Sequence, residues 1–279
     1  MAEAVAADAR GGMVEPAGLT SPPALAVLIG LSLALFAARE LGAMLRRRSM
    51  LRARARDGSE DDGFVLSGAL GLLALLVAFT FGMGLERYEE RRMLVLAEAS
   101  ALSTAWDRSQ LLADPAPVRA ALIAYARQRV ALGRDVGEIT EADRAGLKAA
   151  RRLLWDRAVA AVAPDRTTPI APFLLTPLDE AFDRAAAREA AHEARIPSTV
   201  LFALLLYALI SAGVLGYAAP SPNVRWVSYG MLGLLTLAIA LTLDLDQPGV
   251  GTIFVSERPM VEALAEMEEV AAMAPAPPR

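Results

Sequence analysis

The feature that most constrains this chain is an uncharged apolar run, residues 63–85. It continues without a proline into Glu86-Arg87-Tyr88-Glu89-Glu90-Arg91-Arg92 and on to Leu112. About 22 residues at 1.5 Å each give roughly 33 Å, enough to cross a bilayer. Beyond the run, Leu94, Ala97, Ala101, Ala105 and Leu112 recur at helical spacings. The expectation is one long helix, half in lipid and half in water.

Three further apolar runs follow the same logic. Residues 24–45 form the first expected span, 63–85 the second, 198–219 the third and 224–243 the fourth. Mean hydropathy is +0.38 over 279 residues, and these blocks carry the excess. The fold class expected is therefore an all-α integral membrane protein with four transmembrane helices. Residues 1–23, with Gly11-Gly12, Pro16, Pro22 and Pro23, read as a disordered tail. They lack a basic leader, so the first span is expected to stay as an anchor.

The connection 46–62 carries Arg46, Arg47, Arg48, Arg52, Arg54 and Arg56. Six arginines between two spans place it in the cytoplasm by the positive-inside rule, and the acids that follow count little. Anionic-lipid binding is a further reading of the same loop. The orientation that follows puts both termini and the intervening domain outside. Arg225 and Trp226, after the short turn 220–223, suit an interface and agree with it.

Residues 86–197 read as a helical extramembrane domain between the second and third spans. Pro115 and Pro117 end the long helix, and 117–132 forms the next, broken by Gly133 and Gly137. Thr140 with Asp143 resembles an N-cap for a helix to about Ala163. Thr176-Pro177 reads as an N-cap and first helical position for a helix to Ile196. Residues 244–279 read as a turn, a short extended piece at 252–255 and an acidic helix.

Composition excludes several chemistries. The chain has no Cys and one His, His192, so thiolate catalysis, Cys-based metal sites and multi-His metal sites are out. Net charge is −4 and no aromatics interleave with the arginine run, which argues against nucleic acid. The spans offer scattered Ser and Thr without a base, so an enzyme is not expected, nor a cofactor. The two halves show no broken helices in matching positions, which argues against a secondary transporter.

The candidate site residues come from the spans. Phe79 and Phe81, flanking Thr80 near the end of the second span, are candidates for a pore constriction. Asp244 and Asp246 are candidate ion-mouth carboxylates, with an exposed helix end as the plainer reading. Arg39 and Glu40 are a candidate interhelical polar pair, or simply interfacial.

With four spans placed, the chain resembles the bacterial bestrophin-like family. The resemblance is carried by Ala78-Phe79-Thr80-Phe81 leading to Arg91-Arg92 and Glu98-Ala99-Ser100-Ala101-Leu102. Arg195-Ile196-Pro197 before the third span and Asp246-Gln247-Pro248-Gly249-Val250-Gly251 after the fourth add to it. Gly249 stands where the family has an aromatic, and the tryptophan usual near Tyr125 is absent. The remote relation to bestrophins, which are pentameric anion channels, implies a homo-oligomer (a pentamer by that analogy alone) and channel activity toward ions. It also implies a cytoplasmic soluble region, against the arginine-run argument, which is local and takes precedence here. The alternative function is a non-transporting membrane scaffold or sensor whose helical domain binds a partner or ligand.

Overall fold

The computed structural model describes residues 22–52, 60–134, 140–165, 169–218, 222–246 and 253–273. The described residues are helical and contain no strand. Eight α-helices run in order: α1 Pro22–Arg52, α2 Glu60–Arg108, α3 Ala116–Arg134, α4 Glu141–Val162, α5 Ile170–Glu193, α6 Ser198–Ala218, α7 Pro222–Asp246 and α8 Arg258–Met273. Four of them are long and apolar enough to cross a membrane. The third apolar stretch, Ile170–Ala218, is interrupted at 194–197, and its uncharged part is α6.

The chain divides into two compact units, Met1–Tyr88 with Arg195–Phe254, and Glu89–Ala194 with Val255–Arg279. In the first unit, Leu31 and Leu35 of α1, Leu73 of α2, Leu204, Ala208 and Ala212 of α6, and Leu232 and Ile239 of α7 share one apolar core. α1 and α6 cross with backbone on backbone. A Cβ on Gly42 would collide with the Gly213 carbonyl, and one on Gly216 with the backbone of Arg39. Small residues allow helices in lipid to gain dispersion and weak polar contacts where no hydrophobic drive separates helix from tail. Gly213 and Gly216, three apart, therefore serve a close crossing without forming the GxxxG spacing.

The second unit is built on larger side chains. Leu102, Ala105 and Trp106 of α2, Leu122 and Tyr125 of α3, Leu154 of α4, Leu178 and Phe182 of α5 and Met260 and Met267 of α8 fill its core. The expected apolar row on α2 is partly displaced. Ala101, Ala105 and Leu112 are buried, but Leu94 and Ala97 are half-buried, and the deepest row is Val95, Glu98, Leu102 and Ala105.

The local expectations fare unevenly. Thr140 caps α4 with a complete capping box: its Oγ1 accepts from the Asp143 amide at 3.2 Å, and its own amide donates to Asp143 Oδ2 at 3.0 Å. Thr176-Pro177 does not begin a helix, because Pro177 lies inside α5. Proline there has no amide for the Phe173 carbonyl, four residues back. That carbonyl accepts from Arg108 Nη1 at 2.8 Å, while Thr176 Oγ1 donates to the Pro172 carbonyl at 2.7 Å. The guanidinium thus replaces the donor that proline lacks, and the helix passes through. α5 stops at Glu193 rather than Ile196. Gly133 does not break α3 but lies within it.

Arg46, Arg47 and Arg48 stand on α1, not on a loop, and Arg52 is that helix's last residue. Arg54 and Arg56 lie outside the described residues. So do the tail 1–21, Gly137, Pro220 and Ser221 of the turn, the signature residues 247–251, Thr252 and the end 274–279.

Candidate functional site

Among residues 66–85 of α2 only Leu73, Thr80 and Gly84 are buried, so most of the circumference of its apolar part is exposed. Gly68, Leu72, Leu75, Phe79 and Gly82 recur at spacings of four and three. Leu72, Leu75 and Phe79 are exposed, and nothing lies within 4 Å of a Cβ placed on Gly68 or Gly82. Phe79 is 63% exposed and Phe81 37%, whereas Thr80 between them is buried and donates to the Leu76 carbonyl. At 100° per residue, Phe79 and Phe81 are about 200° apart around the helix. A single face therefore contains Phe79 and excludes Phe81.

Arg39 and Glu40 pair with each other on α1 and also reach α7. Glu40 accepts from the Tyr229 hydroxyl and lies 3.7 Å from Arg225. Arg39 is buried, its guanidinium 4.9 Å from the centre of the Tyr229 ring, and Phe36 meets that ring edge-on at 5.2 Å. Both members thus reach α7, Arg39 through the Tyr229 ring and Glu40 through the Tyr229 hydroxyl and Arg225.

Asp244 is half-buried and Asp246 is buried. Asp246 does not stand open at a span mouth. Its Oδ1 accepts from the Ile196 amide at 2.7 Å, and its backbone carbonyl accepts from Arg195 Nη1 at 2.7 Å. The chain entering α6 would otherwise leave a buried amide without an acceptor, a cost of about 1–3 kcal/mol. Asp246 removes it.

The second unit contains a polar cluster that sequence patterning does not reveal. Glu98 of α2 is fully buried. Its carboxylate takes a bidentate fork from Arg129 of α3, at 2.5 and 2.6 Å, and a further contact from Arg188 of α5 at 3.3 Å. The Tyr125 hydroxyl lies 3.5 Å away. Arg188 also binds Glu257, just before α8. Glu257 occupies the space left by the missing side chain of Gly133. Two carboxylates and two guanidiniums are therefore shared among four segments, and the planar fork suits Arg where Lys would make a single contact. The one signal in the sequence is a charged residue on the buried row of α2, at position 98.

The family model described as a bestrophin-like domain matches residues 33–260. This chain belongs to the bestrophin-like family. Neither a curated protein nor a solved structure matches it. In this bestrophin-like protein the matched region includes the Asp246 junction and every member of the Glu98 cluster. Two stretches that carried the resemblance, Arg195-Ile196 and Asp246, meet in space although they are 50 residues apart. In this chain Arg195, Ile196 and Asp246 clasp the end of α7 to the start of α6.

Electrostatics within the cluster are uneven. Burial works to lower the Arg129 value, and the Glu98 carboxylate overrides it, so the guanidinium is held more firmly protonated than usual. Burial and then the Glu98 charge push the Tyr125 phenol up, which keeps it neutral. Burial also pushes the Glu257 carboxyl above its ordinary value, against the pull of Arg188 and Arg129. The ion pair with Arg188 does not win because Glu257 Oε2 is buried and has no hydrogen-bond partner among the described residues.

Proposed function

We propose that this bestrophin-like protein is a homo-oligomeric ion channel of the bacterial inner membrane, with α2 lining the axis. The observation that carries the reading is the exposed apolar surface of α2, which includes Phe79 and where, among the described residues, nothing lies within 4 Å of a Cβ on Gly68 or Gly82. A constriction needs a ring of side chains, which symmetry supplies and one chain does not. Phe79 takes the axial position and Phe81 falls to lipid or the adjacent subunit. Asp246 is occupied by Ile196, so any carboxylate acting on ions at the mouth is Asp244. The second unit forms the helical extramembrane domain. The arginine-bearing end of α1 faces the cytoplasm, which puts that domain outside.

The continuity of α2 favours a second reading. One helix carries both Phe79 and Glu98, the continuous element that a sensor would need. A membrane sensor or scaffold would use it without conducting. Currents from purified protein in planar bilayers separate the two. In the channel reading, F79A raises conductance several-fold, F81A changes it little and D244N shifts ion preference. Absence of current, or equal currents in wild type and F79A, ends the constriction role.

A further inference from the structure

We propose that the end of the first unit where α1 finishes and α7 begins binds the headgroup of an anionic phospholipid, with Arg46 and Arg225 as its phosphate ligands. This inference rests on the membrane assignment alone and holds whether or not the protein conducts. Arg39, Arg46, Arg47 and Arg48 of α1 and Arg225 of α7 stand at this end, and Glu40 is the one carboxylate seen bonding among them. Arg46 donates to the Tyr217 carbonyl at the end of α6 at 2.8 Å. That bond fixes the side chain across α6 and uses one of five guanidinium donors, leaving the others available.

Arg225 is half-exposed and lies in the first turn of α7. A cation there is unfavourable to the helix dipole, and an anion is favourable. Arg39 is buried and paired with Glu40, and its Nε has no hydrogen-bond partner among the described residues. Trp226 is 76% exposed and packs on Tyr229 with ring centres 6.1 Å apart. An exposed indole beside cations is the residue pattern of the headgroup layer. Leu41, Met44 and Leu45 of α1 are exposed apolar surface for acyl chains. Basic ends of membrane helices attract acidic lipid in this way.

Trp226 provides the readout. The full chain is reconstituted in phosphatidylcholine vesicles that contain a minority of brominated lipid, either phosphatidylglycerol or phosphatidylcholine. Brominated phosphatidylglycerol should quench indole emission at least two-fold more than brominated phosphatidylcholine. The excess should vanish in W226F, fall to near parity in R46Q/R225Q, persist in the charge-keeping R46K/R225K, and persist in R152Q of the second unit. Circular dichroism of each variant establishes that the helices are kept. Equal quenching by the two lipids overturns the proposal, as does an excess that survives R46Q/R225Q. Loss of the excess on adding soluble glycerol phosphate also overturns it, because the site would then take a free phosphate rather than a lipid.

Discussion

The two units of this protein bury polarity in different ways. The first packs backbone against backbone at Gly42, Gly213 and Gly216, and its ion pairs join Glu40 to Arg39 and Arg225. The second packs large side chains around buried Glu98, Arg129 and Tyr125, with half-buried Arg188 and Glu257 joined to them. The difference fits the proposed placement of the first unit in lipid and of the second in water. In lipid, helices gain little by hiding apolar side chains, so close approach and shape matter most. In water, an apolar core is driven together strongly enough to carry a costly ionic cluster, provided each charge has a partner. A buried cluster of this kind links four segments in one geometry, whereas a glycine crossing links two.

The sharpest way to break the comparison is to remove the hub of the cluster. E98A leaves Arg129 buried without the carboxylate that it forks, and leaves half-buried Arg188 with Glu257 alone. Loss of one partner from a buried ion pair costs about 3–5 kcal/mol. Chemical denaturation followed by the emission of Trp106 and Trp155, both in the second unit, should show a loss of that size. A loss near zero would mean that the cluster is not what holds these helices together.

The glycine crossing comes next. G42A or G216A inserts a methyl group into backbone, a change that costs about 1–3 kcal/mol in a packed interior. G30A, on the same helix with nothing within 4 Å, should cost close to nothing. Thermal melts of the detergent-solubilised protein compare the three. If G30A and G216A melt together, the close approach of α1 and α6 is refuted.

The smallest effect is the most specific. The raised value of Glu257 means that its contribution to stability is fully present below the ordinary carboxyl value and is lost as pH rises through its folded value. E257Q cannot ionise, so it removes that loss. The midpoint of wild type should fall relative to E257Q as pH rises from the acid side toward neutrality. A variant destabilised by the same amount at every pH would show instead that the Arg188 ion pair outweighs the cost of burial.

Much of the architecture was legible in the sequence because it depends on local composition. Four apolar runs announce four long apolar helices, and Thr140 with Asp143 announces the start of α4, since a capping box closes within four residues. Pro177 was not legible as a helix interior, because the group that compensates for it, Arg108, is 65 residues from the carbonyl it serves. The same holds for Glu98, whose partners lie 31 and 90 residues away, and for Gly133, whose neighbour is Glu257. Among the candidate site residues, position in the apolar runs was clear but direction was not. Phe79 and Phe81 differ by two residues and point to different sides of α2, and Asp246 turns to Ile196. Sequence gives the angle between neighbours on a helix and leaves open which angle faces a partner.

In the proposed channel, copies of this chain surround an axis lined by the side of α2 that contains Phe79. Single-particle cryo-EM of the full chain in lipid nanodiscs tests it most directly. A closed ring whose axial density is bordered by α2, with Phe79 at its narrowest level, is the expected result. A monomer, a dimer without an axial path, or a ring with α2 on its outer rim would contradict it.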